Sequence, residues 1–278
     1  MRDDQASLTA TAVALARVAH APALASRVLL PTGAAELAAL WAAPGLGKPL
    51  RLMAKLLSGG LVDHLRLRTA AIDVAVEAAI AAGATQVVLL GAGLDARAHR
   101  LPGLGEVTVW EIDHPATQGQ KRRRARRLTP RAAAVRYVPV DFSVDDLQER
   151  LDAAGLPAAE PSVWVWEGVT MYLPPAATRA TLAAIDALSP PGSVLAMTYM
   201  QPQLLRGEAA QAAALRLFAR LGEPLIGGMS AETAGALIAA TGWSTEADTG
   251  VRDWTAAHGG HWLASAMFGS ERLLVARK

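Results

Sequence analysis

VVLLGAGLDARAHR (Val87–Arg100) is an apolar run that breaks into Gly91, Gly93 and Asp95 and then turns basic. A short apolar run bounded by glycine has the texture of a buried strand, and a strand feeding a glycine turn suits a nucleotide-type cofactor. The turn by itself does not name that cofactor. GAGLDA fits the G-x-G-x-x-G/A pattern of dinucleotide-binding folds, and Glu111 lies about twenty residues on, where a ribose-binding acid is expected.

Working outward, residues 1–82 read as helices. LTATAVALARVA, AAELAALWA and LRLMAKLL carry helix formers in runs broken by proline and glycine. The clearest is LVDHLRLRTAAIDVAVEAAIAAG, in which Leu61, Leu65, Ile72, Val76 and Ile80 recur near helical spacing until Gly83 stops the run. Beyond it the texture alternates. TQVVLLGAG, EVTVWEID, AVRYVPVDF, PSVWVWEG and PGSVLAMTYM read as five strands, with crossover helices such as PPAATRATLAAIDALSPP between them. That alternation predicts an α/β fold with a mostly parallel sheet. Asp95 follows the first strand, and Asp113, Asp141 and Glu167 arrive at the ends of the next ones, the edge where ligands gather in open α/β sheets. QLLRGEAAQAAALRLFARLG reads as helical, SAETAGALIAATGW as a helix with Ser230 at its N-cap, and HWLASAMFGSERLLVARK as one or two closing strands. The reading divides the chain into an N-terminal helical cap with a cofactor-contacting helix, residues 1–82, and a core, residues 83–278, with a helical cover near 201–229.

Composition narrows the field. The chain has 278 residues, 52% hydrophobic and 19% charged, which predicts a compact globular protein. It contains no cysteine, so disulfides, thiolate catalysis and cysteine-bound metals are excluded. No apolar stretch is long enough to span a bilayer, and the N-terminus is only weakly signal-like, so the expected location is the cytoplasm. The net charge is +2, with the basic excess gathered in KRRRARR, Lys121 to Arg127. Those charges are expected to point all round a solvated helix. No aromatics interleave with them, so no obligatory nucleic-acid partner is expected.

Two cofactors compete for the glycine turn. A nicotinamide dinucleotide would use Glu111, but no second mononucleotide-binding half follows residue 167. S-adenosylmethionine accounts for more of the acids: Asp113 would hold ribose hydroxyls, Asp141 would meet adenine, and Asp95 suits a positively charged cofactor better than a pyrophosphate.

The ordered set QVVLLGAGLDARAHRL, WEIDHP, Lys121 and WEGVTMYL closely resembles the leucine carboxyl methyltransferase family, including its bacterial branch of small-molecule, polyketide-type O-methyltransferases. The resemblance is strongest from Leu65 to Leu173. It implies a class I S-adenosylmethionine-dependent methyltransferase fold, a seven-stranded mostly parallel sheet with a helical cap. It also implies roles by position. Arg68, in RLRTAAID, matches the arginine that binds the cofactor's carboxylate. Gly91 and Gly93 form the turn, Asp113 matches the ribose acid, and Asp141 with Phe142 match the pair beside adenine. Glu167 matches the acid near the methionine ammonium, Tyr172 faces the substrate side, and Asp95 and Arg97 organise the loop. Glu111 either binds ribose or supports the turn. The family's N-terminal Asp-Pro is absent, with Ala21 in the aspartate's place.

The implied reaction is methyl transfer to oxygen. A carboxylate acceptor, ionised at neutral pH, needs positioning but no strong base, whereas a phenol or alcohol needs one. His258 and His261 in AAHGGHW are the candidate catalytic or substrate-contacting residues. Their spacing supplies no third metal ligand, and no metal is expected. Tyr199, Met200 and Trp254 are candidates for an apolar acceptor pocket, while His99 and His114 are expected to make local contacts. The expectation is an O-methyltransferase esterifying a small organic or polyketide-like acid. A phenol or alcohol methyltransferase, an NAD-dependent oxidoreductase and a non-enzymatic binding protein are the alternatives. Acceptor identity and oligomeric state are not encoded legibly.

Overall fold

The computed structural model describes residues 8–20, 24–142, 144–202, 224–260 and 268–278, together with 212, 216 and 219. Ala21, His261 and most of the expected cover lie outside the described residues.

Seven strands form one sheet: β1 (Gln86–Leu90), β2 (Thr108–Asp113), β3 (Ala134–Pro139), β4 (Ser162–Trp166), β5 (Val194–Met200), β6 (Ser244–Gly250) and β7 (Glu271–Arg277). Their order is β3-β2-β1-β4-β5-β7-β6. The first five pair in parallel, and β7 runs antiparallel to both β5 and β6. β1 therefore has β2 on one side and β4 on the other. The strand order reverses between β1 and β4, which opens a crevice at their carboxyl ends.

All five expected strands are present. The final stretch supplies β7, within the expected one or two closing strands, and STEADTG before it forms a further strand that was not expected. β6 sits at the sheet edge with its first three residues exposed, so it lacks the apolar face by which strands are recognised.

Alternate residues of the strands build two cores. Val88 and Leu90 of β1 pack with Trp110, Trp164 and Trp166 on one face. Val87 and Leu89 pack on the other face with Val109, Val163 and α5 (Leu61–Ala81), which contributes Leu67, Ile72 and Val76. All three are fully buried, each removal from water stabilising the fold by about 1.5–3 kcal/mol. The first turns of α5 also anchor the cap. Val62 and Leu65 pack with Ala14 and Val18 of α1 (Leu8–His20), with Trp41 of α3 (Thr32–Ala42), and with Leu94 beyond the glycine turn. The short α2 (Leu24–Val28) and α4 (Gly47–Leu57) complete this layer.

The remaining helices among the described residues are α6 (Arg97–Arg100), α7 (Pro115–Ala125), α8 (Leu147–Ala154), α9 (Pro175–Ala187), α10 (Ala231–Ala240) and α11 (Val251–His258), with a 3-10 turn at Thr170–Tyr172. Ser230 caps α10 as expected, its hydroxyl accepting from the Thr233 N–H at 3.2 Å.

Candidate active site

The carboxyl ends of β1, β2 and β4 are tied into one structure. Gly91 leaves β1 with φ +67°, and a Cβ there would stand 2.4 Å from Cγ2 of Val169, so the position admits little but glycine. The turn is then held from the neighbouring strand. One oxygen of Asp113 accepts from the Gly93 N–H at 2.5 Å, and the other from the His114 N–H at 2.7 Å. Burial raises the Asp113 carboxyl above its usual range, although both backbone hydrogen bonds oppose the rise. Each oxygen keeps lone-pair capacity for a hydroxyl. Asp141 stands just past β3 with its side chain 36% exposed, within 3.7 Å of the His114 ring, and Phe142 packs half-buried against the sheet. His114 also caps α7, accepting from the Ala116 N–H.

On the β4 side the acids are locked to arginines. Glu167 accepts from Arg68 at 3.0 Å, from Arg97 at 2.9 Å and from Arg17 of α1. Burial alone would raise this carboxyl, but the Arg17, Arg68 and Arg97 guanidiniums overcome it and hold Glu167 well below the ordinary carboxylate range. Arg97 is fully buried. It also bonds Asp95, whose other oxygen accepts the Arg97 backbone N–H at 2.7 Å, and Asp73 of α5 at 2.7 Å. Arg100 grips the same Asp73 with two N–H groups, at 2.6 and 3.0 Å. Arg68 turns its second face to Glu271 of β7 at 2.8 Å, and Glu271 meets His64. The network thus joins the cap, α5, the glycine turn, β4 and β7.

Arg68 is consequently not an open carboxylate receptor. It is 6% exposed and bonded to two glutamates, so a ligand carboxylate would have to displace one of them. Arg17 is more open, and with Arg66 and Arg100 it lines a cavity of about 350 Å³ between α1, α5 and α6. Leu94, Thr69 and His258 contribute to the same wall, and among the described residues Asp73 is its one acid. Arg17, Arg66, Arg100, Asp73 and Glu271 were not singled out by motif. Asp73 ends the RLRTAAID segment, but the others meet the site only through contacts more than a hundred residues apart or through the cavity.

Other candidates lie elsewhere. Glu111 is fully enclosed, 2.7 Å from the Lys121 ammonium, and burial raises its carboxyl to about 7 despite that partner. Buried and paired with Lys121, it offers no exposed oxygen to a ribose in this structure. Lys121 is not a solvated helix residue either: it is 1% exposed and points inward from α7. Tyr199 is fully buried, its hydroxyl donating to Asp248 at 2.7 Å and accepting from Arg272 at 3.1 Å. Trp254 is also core, with its indole N–H on Thr249. The apolar faces of β5 and α11 bury both rings in the core. Met200 stands half-buried at the end of β5, and Tyr172 half-buried on the 3-10 turn. His258 does reach the basic cavity. Among the described residues no three metal-ligating side chains converge.

The reversal of strand order, the glycine turn braced by Asp113, and the acids at the ends of β3 and β4 define a class I S-adenosylmethionine-dependent methyltransferase fold. Comparison with known proteins agrees and is more specific. The leucine carboxyl methyltransferase family model matches residues 10–186, well over half of the chain, and the protein belongs to that family. A Mycolicibacterium gilvum protein provisionally named as an S-adenosyl-L-methionine-dependent methyltransferase is 42% identical over 156 residues, 56% of this chain and 50% of that protein. A Mycobacterium ulcerans protein of the same provisional name is 34% identical over 223 residues, 77% of this chain and 66% of its own length. The chain spans about half the length of the first curated relatives it matches. Among solved structures, a DUF574 family protein from Streptomyces avermitilis superposes with a TM-score of 0.61 at 17% identity, covering 95% of this chain and 96% of its own.

Proposed function

We propose that this protein is an S-adenosylmethionine-dependent O-methyltransferase that esterifies a carboxylate of a small organic, polyketide-like acid. Family membership supports methyl transfer, and the observation that carries the acceptor class is the cavity beside Glu167, walled by Arg17, Arg66 and Arg100 with Asp73 the one acid among the described residues. A cavity of this size suits a small molecule, and guanidiniums suit a carboxylate.

The residues fit the cofactor: a close-approach glycine turn, Asp113 with free lone pairs for ribose hydroxyls, and Asp141 and Phe142 at the adenine end. Glu167 is kept ionised by Arg17, Arg68 and Arg97, and would have to release one of these guanidiniums to meet the ammonium group. When bound, S-adenosylmethionine supplies an electrophilic sulfonium methyl group. The chain's part is to hold the acceptor oxygen in line and exclude water. Arg17, Arg66 and Arg100, already bonded to Glu167, to the His258 carbonyl and to Asp73, would turn part of their N–H groups to the ionised acceptor, and with an ordinary carboxyl pKa near 4 no proton has to be removed at neutral pH.

His258 in the same cavity favours a second reading, in which it takes the proton from a phenolic or alcoholic acceptor. A labelled-methyl transfer screen across carboxylic acids, phenols and peptide C-termini separates the two. Ester products support the carboxylate reading. A strictly phenolic product overturns it in favour of the His258 reading, and no transfer to any acceptor counts against both. We further propose that residues 1–82 act as the cap and 83–278 as the catalytic core.

A further inference from the structure

Three guanidiniums converge on Glu167, and one of them differs from the other two. Arg68 also bonds Glu271, at 2.8 and 3.1 Å, and Arg97 also holds Asp95 and Asp73. Their side chains are 7% and 1% exposed. Arg17 ion-pairs with no second carboxylate among the described residues, and its side chain is 17% exposed. It belongs to α1 of the cap. Its Nη2 donates to Glu167 Oε1, which Arg68 shares, and its Nε donates to the Thr69 hydroxyl at 3.1 Å. That hydroxyl gives its own proton to the Leu65 carbonyl at 2.7 Å, so it is oriented to accept. Arg17 and Thr69 both line the basic cavity. The guanidinium thus hangs from Thr69 within reach of both Glu167 and the cavity.

We propose that Arg17 is a latch between the two subsites: it competes with the cofactor's ammonium for Glu167, and the ammonium, on taking that carboxylate, frees Arg17 to serve the acceptor carboxylate. The inference rests on the S-adenosylmethionine reading. Electrostatics decides which guanidinium yields. Arg68 cannot swing clear without abandoning Glu271, nor Arg97 without abandoning Asp95 and Asp73, and a buried carboxylate stripped of its cation is costly. Arg17 leaves only Glu167, and there the incoming ammonium replaces one cation by another. Its bond to Thr69 serves as a pivot, so the N–H groups can turn to the cavity without withdrawal of α1. Cofactor and acceptor then favour each other's binding, because the same guanidinium is released by one and taken up by the other.

The test is calorimetry of the full chain with S-adenosylhomocysteine and with methylthioadenosine, which keeps the nucleoside and sulfur but has no ammonium. Arg17→Met removes the competitor and should bind S-adenosylhomocysteine about fivefold more tightly, with methylthioadenosine unchanged. Arg17→Lys restores a cation and should return the affinity toward that of the unmodified chain. A residue with a merely structural role would not tighten binding when removed. Benzoate, as a carboxylate probe, should bind the unmodified chain about fivefold or more tightly with saturating S-adenosylhomocysteine than without it, and Arg17→Met should abolish that difference. Weaker S-adenosylhomocysteine binding by Arg17→Met, or an equal change with methylthioadenosine, overturns the proposal. So does benzoate binding that is absent or indifferent to S-adenosylhomocysteine. If the unmodified chain binds no S-adenosylhomocysteine at all, the cofactor reading itself fails and the latch falls with it.

Discussion

Arg97→Met isolates the network that organises the site. The Arg97 guanidinium is fully buried and holds three carboxylates: Asp95, Asp73 at 2.7 Å and Glu167 at 2.9 Å. Asp73 and Glu167 keep other arginines when it is removed, but Asp95 loses the guanidinium that ion-pairs with it and remains 7% exposed. Breaking a buried ion pair from one side costs about 3–5 kcal/mol, because the abandoned charge stays out of water. For a chain of this size that corresponds to a fall in Tm of about 6–15 °C. The loss must also depend on pH. Asp95 and Glu167 are held below their ordinary values in the fold: burial opposes this, and the guanidiniums outweigh it. Depressed carboxylates contribute stability that is fully present above their unfolded values, near 4, and is lost as pH falls through the folded ones. The variant lacks part of that contribution, so its deficit should be full at pH 7 and narrow below about pH 4. Urea denaturation across that range measures it. A deficit under about 1 kcal/mol at pH 7, or one that does not change with pH, refutes the argument. Arg97→Lys should recover only part of the loss, since a point charge cannot fork among three carboxylates.

Three other outcomes follow from the geometry. Gly91→Ala places a methyl group against Val169 in a left-handed turn, and should lower S-adenosylhomocysteine affinity by about tenfold or more; adding Val169→Ala should restore part of it, and calorimetry reads both. Tyr199→Phe removes a hydroxyl shared by Asp248 and Arg272, so urea denaturation should show a loss of about 1–2 kcal/mol while cofactor affinity is unchanged; weakened cofactor binding would contradict the core placement. Glu111, raised from 4.5 to about 7 chiefly by burial, keeps its proton in the fold at pH values where the unfolded chain has released it. Stability should therefore decline as pH rises from about 4.5 to about 7, by on the order of 3 kcal/mol, and Glu111→Gln should remove that slope in urea midpoints taken at pH 5 and 7.5.

The parallel half of the sheet was legible because β1, β4 and β5 are buried on both faces and so read as continuous apolar runs between turns. β6 was not legible, since an exposed edge strand reading STEADTG carries no period. The acids at the strand ends were legible because the chain itself delivers them to one edge. Their partners were not: Arg17 meets Glu167 across 150 residues and Arg68 meets Glu271 across 203. No local pattern records such contacts. Residue type does not record burial. Tyr199 and Trp254 have the chemistry of pocket walls, yet their positions on β5 and α11 turn them into the core. Glu111 had the spacing of a ribose acid, but its neighbour Lys121, one turn into the interior face of α7, encloses it.

Calorimetric titration of the full chain with S-adenosylhomocysteine and with NAD, repeated on Asp113→Ala, tests the central claim most directly. Saturable binding of S-adenosylhomocysteine, no heat from NAD, and an affinity about tenfold or more weaker in the variant is the result the braced glycine turn predicts. Binding of NAD with no response to S-adenosylhomocysteine, or an affinity untouched by the loss of Asp113, would contradict it.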